Sequence, residues 1–201
     1  MKRLVLLALV ACGLHVQGQD MSGIIKTNPL GWLAGQYQFG YEHFLSESAS
    51  VQVLPGGIYG SVTLFPNDST SNLTSVGAGR VGVIVVPEFR YYFSGEAPDG
   101  MYIAPFGRYR SVTTTLNNDG NSSQTRTAIG GGFVLGYQYS LANGLTGEVF
   151  LGPQFKSSTT TSTGAYDEYG FAFDDESNTG IRFGINIGFG FRPLPYGDLI
   201  D

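Results

Sequence analysis

Eleven charged residues in this chain recur at a spacing that would let them work together. Eight are basic: Lys26, Arg80, Arg90, Arg108, Arg110, Arg126, Lys156 and Arg182. Three are acidic: Glu42, Glu88 and Glu148. They alternate at period two with apolar neighbours, so extended segments would carry them on one face. Enclosed together, such groups can select anions. They can also satisfy one another as a network of ion pairs and hydrogen bonds.

Other candidates carry less chemistry. His43 is the one histidine after the leader, in phase with Tyr37, Phe39 and Tyr41 on an apolar face. A general base there lacks a partner, and no nucleophile–base pair is visible. No catalytic residue is assigned, and an enzyme is not expected. Residues 161–177 hold Asp167, Glu168, Asp174, Asp175 and Glu176. Carboxylates at that density can bind Ca²⁺, but the spacing departs from the EF-hand pattern. A solvated loop is the favoured reading, with no metal site and no cofactor. Asp68-Ser69-Thr70 resembles a short O-glycosylation acceptor, and N-x-[ST] sequons stand at Asn67, Asn72 and Asn121. Such short patterns are common in loops rich in Ser, Thr and Asn.

The chain begins like an exported protein. Lys2 and Arg3 precede the apolar run Leu4 to Ala11, the layout of a secretory signal. Cleavage after Gly18 is favoured over lipidation at Cys12, which ends a lipobox-like Leu9-Val10-Ala11-Cys12. Cys12 is the single cysteine, so a chain cut at Gly18 has no disulfide or thiolate chemistry. Losing residues 1–18 removes two bases and no acid, moving the net charge from −5 to −7. That excludes nucleic acid as a natural partner. The expected organisation is a signal at 1–18, one barrel domain at 19–192 and a short periplasmic tail at 193–201.

The elements that must position these residues are strands. Of 201 residues, 30 are Gly, 13% are charged and 13% aromatic, against about 7% Gly and about 25% charge in ordinary globular chains. Eight period-two strands are expected at 23–32, 35–46, 49–63, 79–94, 101–116, 125–140, 145–160 and 178–192. Short turns alternate with long polar loops at 64–78, 117–124 and 161–177, the plan of an outer-membrane barrel. In the last strand Phe183, Ile185, Ile187, Phe189 and Phe191 oppose Arg182, Gly184, Asn186, Gly188 and Gly190.

Which face points outward follows from the charges. The turns and loops contain no Lys or Arg, while eight lie within strands beside glycines and the ninth, Arg192, stands at the end of the last strand. Long cations beside glycines suit a narrow lumen, with the apolar face toward lipid. Tyr41, Tyr91, Phe93, Tyr137, Tyr139, Phe189 and Phe191 then form an aromatic girdle near the short turns. Ile84 and Val86 fall on the polar face, out of pattern. Pro55, Pro87, Pro105 and Pro153 fall within strands, where they would mark bulges. The fold class is all-β, an eight-stranded antiparallel up-and-down transmembrane β-barrel. Eight strands enclose an interior about filled by side chains, so the charges are expected to plug the lumen rather than conduct.

The final strand resembles the assembly signal of small bacterial outer-membrane β-barrels such as the OmpA transmembrane domain, OmpX and OmpW. Arg182-x-Gly184-x-x-Ile187-x-Phe189 carries the resemblance, with Gly184, Ile187 and Phe189 as the signal residues. The tail after Phe191 departs from the family, which usually ends on its terminal aromatic. Ile25-Lys26-Thr27-Asn28-Pro29-Leu30, Phe39-Gly40-Tyr41-Glu42 and Pro87-Glu88-Phe89-Arg90-Tyr91-Tyr92-Phe93 look closest to a barrel family known by a domain-of-unknown-function label.

The resemblance implies outer-membrane localisation, a lipid environment and the barrel-assembly machinery as partner during biogenesis. It implies no activity. With no peptidoglycan-binding domain expected after the barrel, an anchoring role does not transfer. The expected function is a non-enzymatic structural or surface-interaction barrel. The alternatives are a narrow channel for small solutes or ions, and a soluble lipocalin-like barrel.

Overall fold

A computed structural model describes residues 22–66, 74–164, 166, 169–170 and 178–191. The leader with Cys12, Arg192, the tail, Asp68-Ser69-Thr70, the sequons at Asn67 and Asn72, and the acids Asp167, Glu168 and Asp174 to Glu176 lie outside them.

The chain forms β1 (Gly23–Thr27), α1 (Pro29–Leu33), β2 (Gln36–Ser46), β3 (Ala49–Pro66), β4 (Val76–Tyr92), β5 (Gly100–Leu116), β6 (Ser123–Ser140), β7 (Leu145–Thr163), β8 (Tyr169–Gly170) and β9 (Thr179–Phe191). Each long strand pairs antiparallel with its neighbours, and β1 pairs with both β2 and β9. Eight strands therefore close into a ring, and β8 adds only a two-residue pairing to the end of β3. Where Gly23–Thr27 pairs with Ile187–Phe191, the ring has no free sheet edge.

The ring is inverted relative to a soluble barrel. Val83, Phe133 and Phe183 on the outside are 52%, 56% and 68% exposed, whereas Glu42 and Arg90 inside are 0% exposed. The girdle residues Tyr41, Tyr91, Phe93, Tyr137, Phe189 and Phe191 are exposed, and Tyr139 is half-buried.

Two expectations change. The first strand stops at Thr27 rather than running to residue 32. Asn28 caps a short helix, its side-chain oxygen accepting from Gly31 N at 2.9 Å, and Pro29 takes the first turn. Proline there needs no donor and is set for helical φ. The helix ends before Gly35, whose φ of +69° and close approach to the Tyr59 carbonyl both require glycine. The second change concerns the prolines, which make no bulges. All four point outward. The β4–β5 ladder passes from Val85–Tyr109 to Glu88–Phe106 across Pro87 in unchanged register. The β6–β7 ladder passes Pro153 in the same way. A missing N–H removes ladder bonds on one side of the strand only, so the other side holds the register. The shift in register falls instead between Phe44 and Ser46.

Strands also extend further into the loops than expected. β3 reaches Pro66 and β7 reaches Thr163, because the Ser/Thr-rich ends still find ladder partners such as Leu64–Val76 and Ser123–Thr163.

Candidate functional site

The lumen is built in layers along the barrel axis. At the short-turn end, β1, β2, β4 and β7 each send one charged side chain to a common point. Lys26, Glu42, Arg90 and Glu148 meet there, each essentially inaccessible to solvent. Arg90 is the hub. Its Nη1 and Nη2 donate to Glu148 Oε2 and Oε1 at 2.8 and 2.9 Å. Its Nη2 and Nε also reach Glu88 Oε2 at 3.0 and 3.3 Å. Glu42 Oε2 is 3.5 Å from Nη1. Lys26 Nζ bridges Glu42 at 2.5 Å and Glu148 at 2.6 Å, and donates to Gln138.

Neutral groups complete the layer. Ser50 and Tyr92 donate to Glu42 at 2.5 and 2.7 Å. Tyr102 and Asn186 donate to Glu148 at 2.7 and 3.1 Å. Gln52 donates to Glu88 at 3.1 Å. Charges this deep are tolerated only when paired and hydrogen-bonded, and here each carboxylate has both. Glycines on the same face make the room. A Cβ on Gly136 would strike the Tyr102 ring, and one on Gly184 would lie 2.5 Å from the Phe150 ring.

Arg182 links this layer to the next. Its Nη2 binds Glu88 Oε1 at 2.6 Å, while its guanidinium lies 4.4 and 4.6 Å from the Phe106 and Phe150 ring centres. That geometry adds cation–π attraction from both rings. Around it sits an apolar layer that includes Leu54, Ile58, Ile84, Val86, Phe106 and Phe150. Ile84 and Val86, out of pattern in the sequence, belong to this layer. Toward the long loops stand Arg80, Arg108, Arg110, Arg126 and Lys156, half-buried, with Arg108 donating to Gln154 at 3.2 Å. A second apolar cluster of Leu64, Ala78, Leu116 and Tyr166 lies beyond them.

The polar-face residues thus fall into two groups. Lys26, Glu42, Glu88, Arg90, Glu148 and Arg182 come together. Arg80, Arg108, Arg110, Arg126 and Lys156 occupy a separate level. The neutral members Tyr92, Tyr102, Gln52, Gln138, Ser50 and Asn186 are not among the candidates drawn from sequence, although Asn186 stands on the polar face of its strand. Their signal was phase: Tyr92 lies two residues from Arg90, and Asn186 lies on the Arg182 face. His43 is outside the ring, its ring stacked on Tyr41 and its Nδ1 3.1 Å from the Ser22 carbonyl oxygen. Of the proposed assembly signal, Ile187 and Phe189 face outward, and Gly184 faces Phe150 inside.

The family model described as "Protein of unknown function (DUF3575)" matches residues 4–178. The chain belongs to this family. The match to the DUF3575 model takes in β1 through β8 and leaves β9 beyond its end. No curated protein matches the chain. Two solved structures from Acinetobacter baumannii are similar to this DUF3575 member. CarO2 is 11% identical, with 85% of this chain and 98% of that chain covered at a TM-score of 0.49. CarO is 11% identical, with 88% and 100% covered at a TM-score of 0.43.

Proposed function

We propose that this protein is a non-enzymatic barrel of a bacterial outer membrane, with a lumen sealed at the short-turn end and long loops that meet the outside. The observation that carries this reading is the inverted surface: an apolar belt outside and a paired, solvent-free charge layer inside. Moving an outside that apolar into water would expose a contiguous patch far beyond what soluble monomers show. A bilayer removes that penalty, and closed barrels are one of two structures that can span it.

The sealed base favours a structural or interaction role over conduction. A channel needs a continuous aqueous path, and the layer around Arg90 interrupts one with side chains of 0% exposure. A lipocalin-like reading needs an apolar cavity opening to water, and the base of this lumen is charged. In the proposed biogenesis, the segment 1–18 directs export, and Gly184, Ile187 and Phe189 on β9 are read by the assembly machinery.

The test is membrane fractionation with boiled and unboiled gel electrophoresis. A folded barrel in the outer-membrane fraction migrates differently until heated. A soluble band with no shift would overturn the reading. Planar-bilayer recording then addresses the seal, and steps of conductance from the unmutated protein would move the assignment to a channel.

A further inference from the structure

The barrel wall is incomplete on one side. β1 ends at Thr27, so β9 pairs with it only from Ile187 to Phe191, although β9 begins at Thr179. β2 begins at Gln36, paired with Ile58, although β3 continues to Pro66. In the half of the barrel nearer the long loops, the strands flanking the gap are therefore β9 and β3. The short helix α1 lies low in that gap, packed on β2 and β9.

Cavities flank α1 and cross the wall. One of about 270 Å³ is lined by Arg108, Gln154 and Arg182 from the lumen and by Leu30, Ile181 and Phe183 from the apolar outside. Another of about 500 Å³ joins Arg80 inside to Trp32, Leu33 and Tyr59 outside. The first sets Arg108 and Arg182 beside the buried Ile84, Val86 and Phe150, the second sets Arg80 beside Ile58, and both have apolar outer ends.

Charge in the lumen is divided unevenly. Lys26, Arg90 and Arg182 balance Glu42, Glu88 and Glu148 in the sealed base. The other five bases stand on the loop side of it, where the described strands offer no inward Asp or Glu. The positive fields of Arg80, Arg108 and Arg126 act on Arg110. Arg110 Nε and Arg182 Nη1 are buried with no hydrogen-bond partner. The charged base lies below this level and the cluster of Leu64, Ala78, Leu116 and Tyr166 lies on its loop side. The gap beside α1 opens the level at its side.

We infer that the gap beside α1 admits the anionic headgroup of a membrane lipid to Arg108 and Arg182, with the acyl chains lying on Leu30, Ile181 and Phe183. A charged head and an apolar chain are the two chemistries the cavity presents, in the order a lipid would meet them. An anion here gains charge-assisted hydrogen bonds in a low-dielectric site. Between residues 22 and 191 every Lys and Arg lies in a strand, so the loops offer an anionic lipid no competing basic patch. The inference rests on the membrane reading above.

Trp32 is the only tryptophan and lies at the gap, 42% exposed. It lines the Arg80 cavity on α1, two residues from Leu30 of the Arg108 cavity, so it reports brominated chains lying against this helix. The full chain is folded into phosphatidylcholine vesicles holding a small fraction of brominated-chain lipid, either phosphatidylglycerol or phosphatidylcholine. The expected result is severalfold stronger quenching by the phosphatidylglycerol. Arg108→Gln is expected to remove that preference and Arg108→Lys to keep it. Excess inorganic phosphate is expected to leave it intact. Equal quenching by the two lipids, or a preference that survives Arg108→Gln, overturns the proposal. So does erasure by phosphate, which would make the site one for a free anion. The heat-dependent gel shift is read on the same samples: a chain that never inserts overturns the membrane reading with it, and one that inserts without discrimination overturns this proposal alone.

Discussion

Arg90 on β4 and Glu148 on β7 meet as a two-pronged pair across the barrel interior, at 2.8 and 2.9 Å, with side chains 0% and 1% exposed. The strands between them are β5 and β6, so the pair spans the lumen rather than a single ladder. Lys26 and Tyr102 close on the same carboxylate from two further strands. One guanidinium thereby ties opposite walls of the ring together.

Removing that guanidinium should be the most damaging single change in the lumen. Arg90→Ala leaves Glu42 and Glu148 with Lys26 as their remaining ion-pair partner, at a cost of about 3–5 kcal/mol for breaking a buried pair. Arg90→Lys should recover part of this, since an ammonium keeps the charge but loses the fork. Urea unfolding in detergent, followed by the gel shift, measures both. A loss below about 1 kcal/mol for Arg90→Ala would mean the layer is wet.

Glu88 joins the base to the apolar layer, through Arg90 on one oxygen and Arg182 on the other. Glu88→Ala should lower the unfolding temperature in detergent. In a double-mutant cycle with Arg182→Gln, the two changes should couple by about 0.5–3 kcal/mol, as contacting residues do. An unchanged unfolding temperature together with altered conductance would instead make Glu88 a pore residue.

Outward substitutions test the bilayer. Val83→Arg, near the middle of β4, should destabilise insertion by about 2–4 kcal/mol, while Phe191→Arg, at the short-turn rim, should cost about 0–1 kcal/mol. Folding titrations into lipid vesicles provide the comparison. Equal effects at the two depths would argue that no hydrocarbon layer surrounds the ring.

Gly136 is a packing test independent of charge. Its missing Cβ leaves space for the ring of Tyr102, whose hydroxyl donates to Glu148. Gly136→Ala should destabilise by about 1–3 kcal/mol through overpacking. Adding Tyr102→Phe should not restore the loss, because the clash is with the ring as well as the hydroxyl. Full recovery in that double variant would place the strain on the hydroxyl alone.

Much of the architecture is legible in the chain itself. Alternation at period two is local, and it assigns Phe183 to one face and Arg182 to the other without knowledge of any other strand. The absence of Lys and Arg from turns, set against glycines beside strand cations, says which face is inside. The eight-stranded ring follows from the same pattern.

What tertiary structure decided is non-local. Which height Arg90, Glu42 and Glu148 share depends on how eight ladders are registered and tilted around a closed ring, and no single strand records that. Hence the split into a neutral base and a cationic upper level, and the place of Ile84 and Val86 in an apolar layer, emerge only on closure. The helix at Pro29–Leu33 is an intermediate case. Alternation reads 23–32 as one strand, whereas the structure shows Asn28 capping a helix with Pro29 in its first turn. Only the ring shows the consequence: by ending β1 at Thr27, that cap shortens one hairpin and opens the wall between β9 and β3.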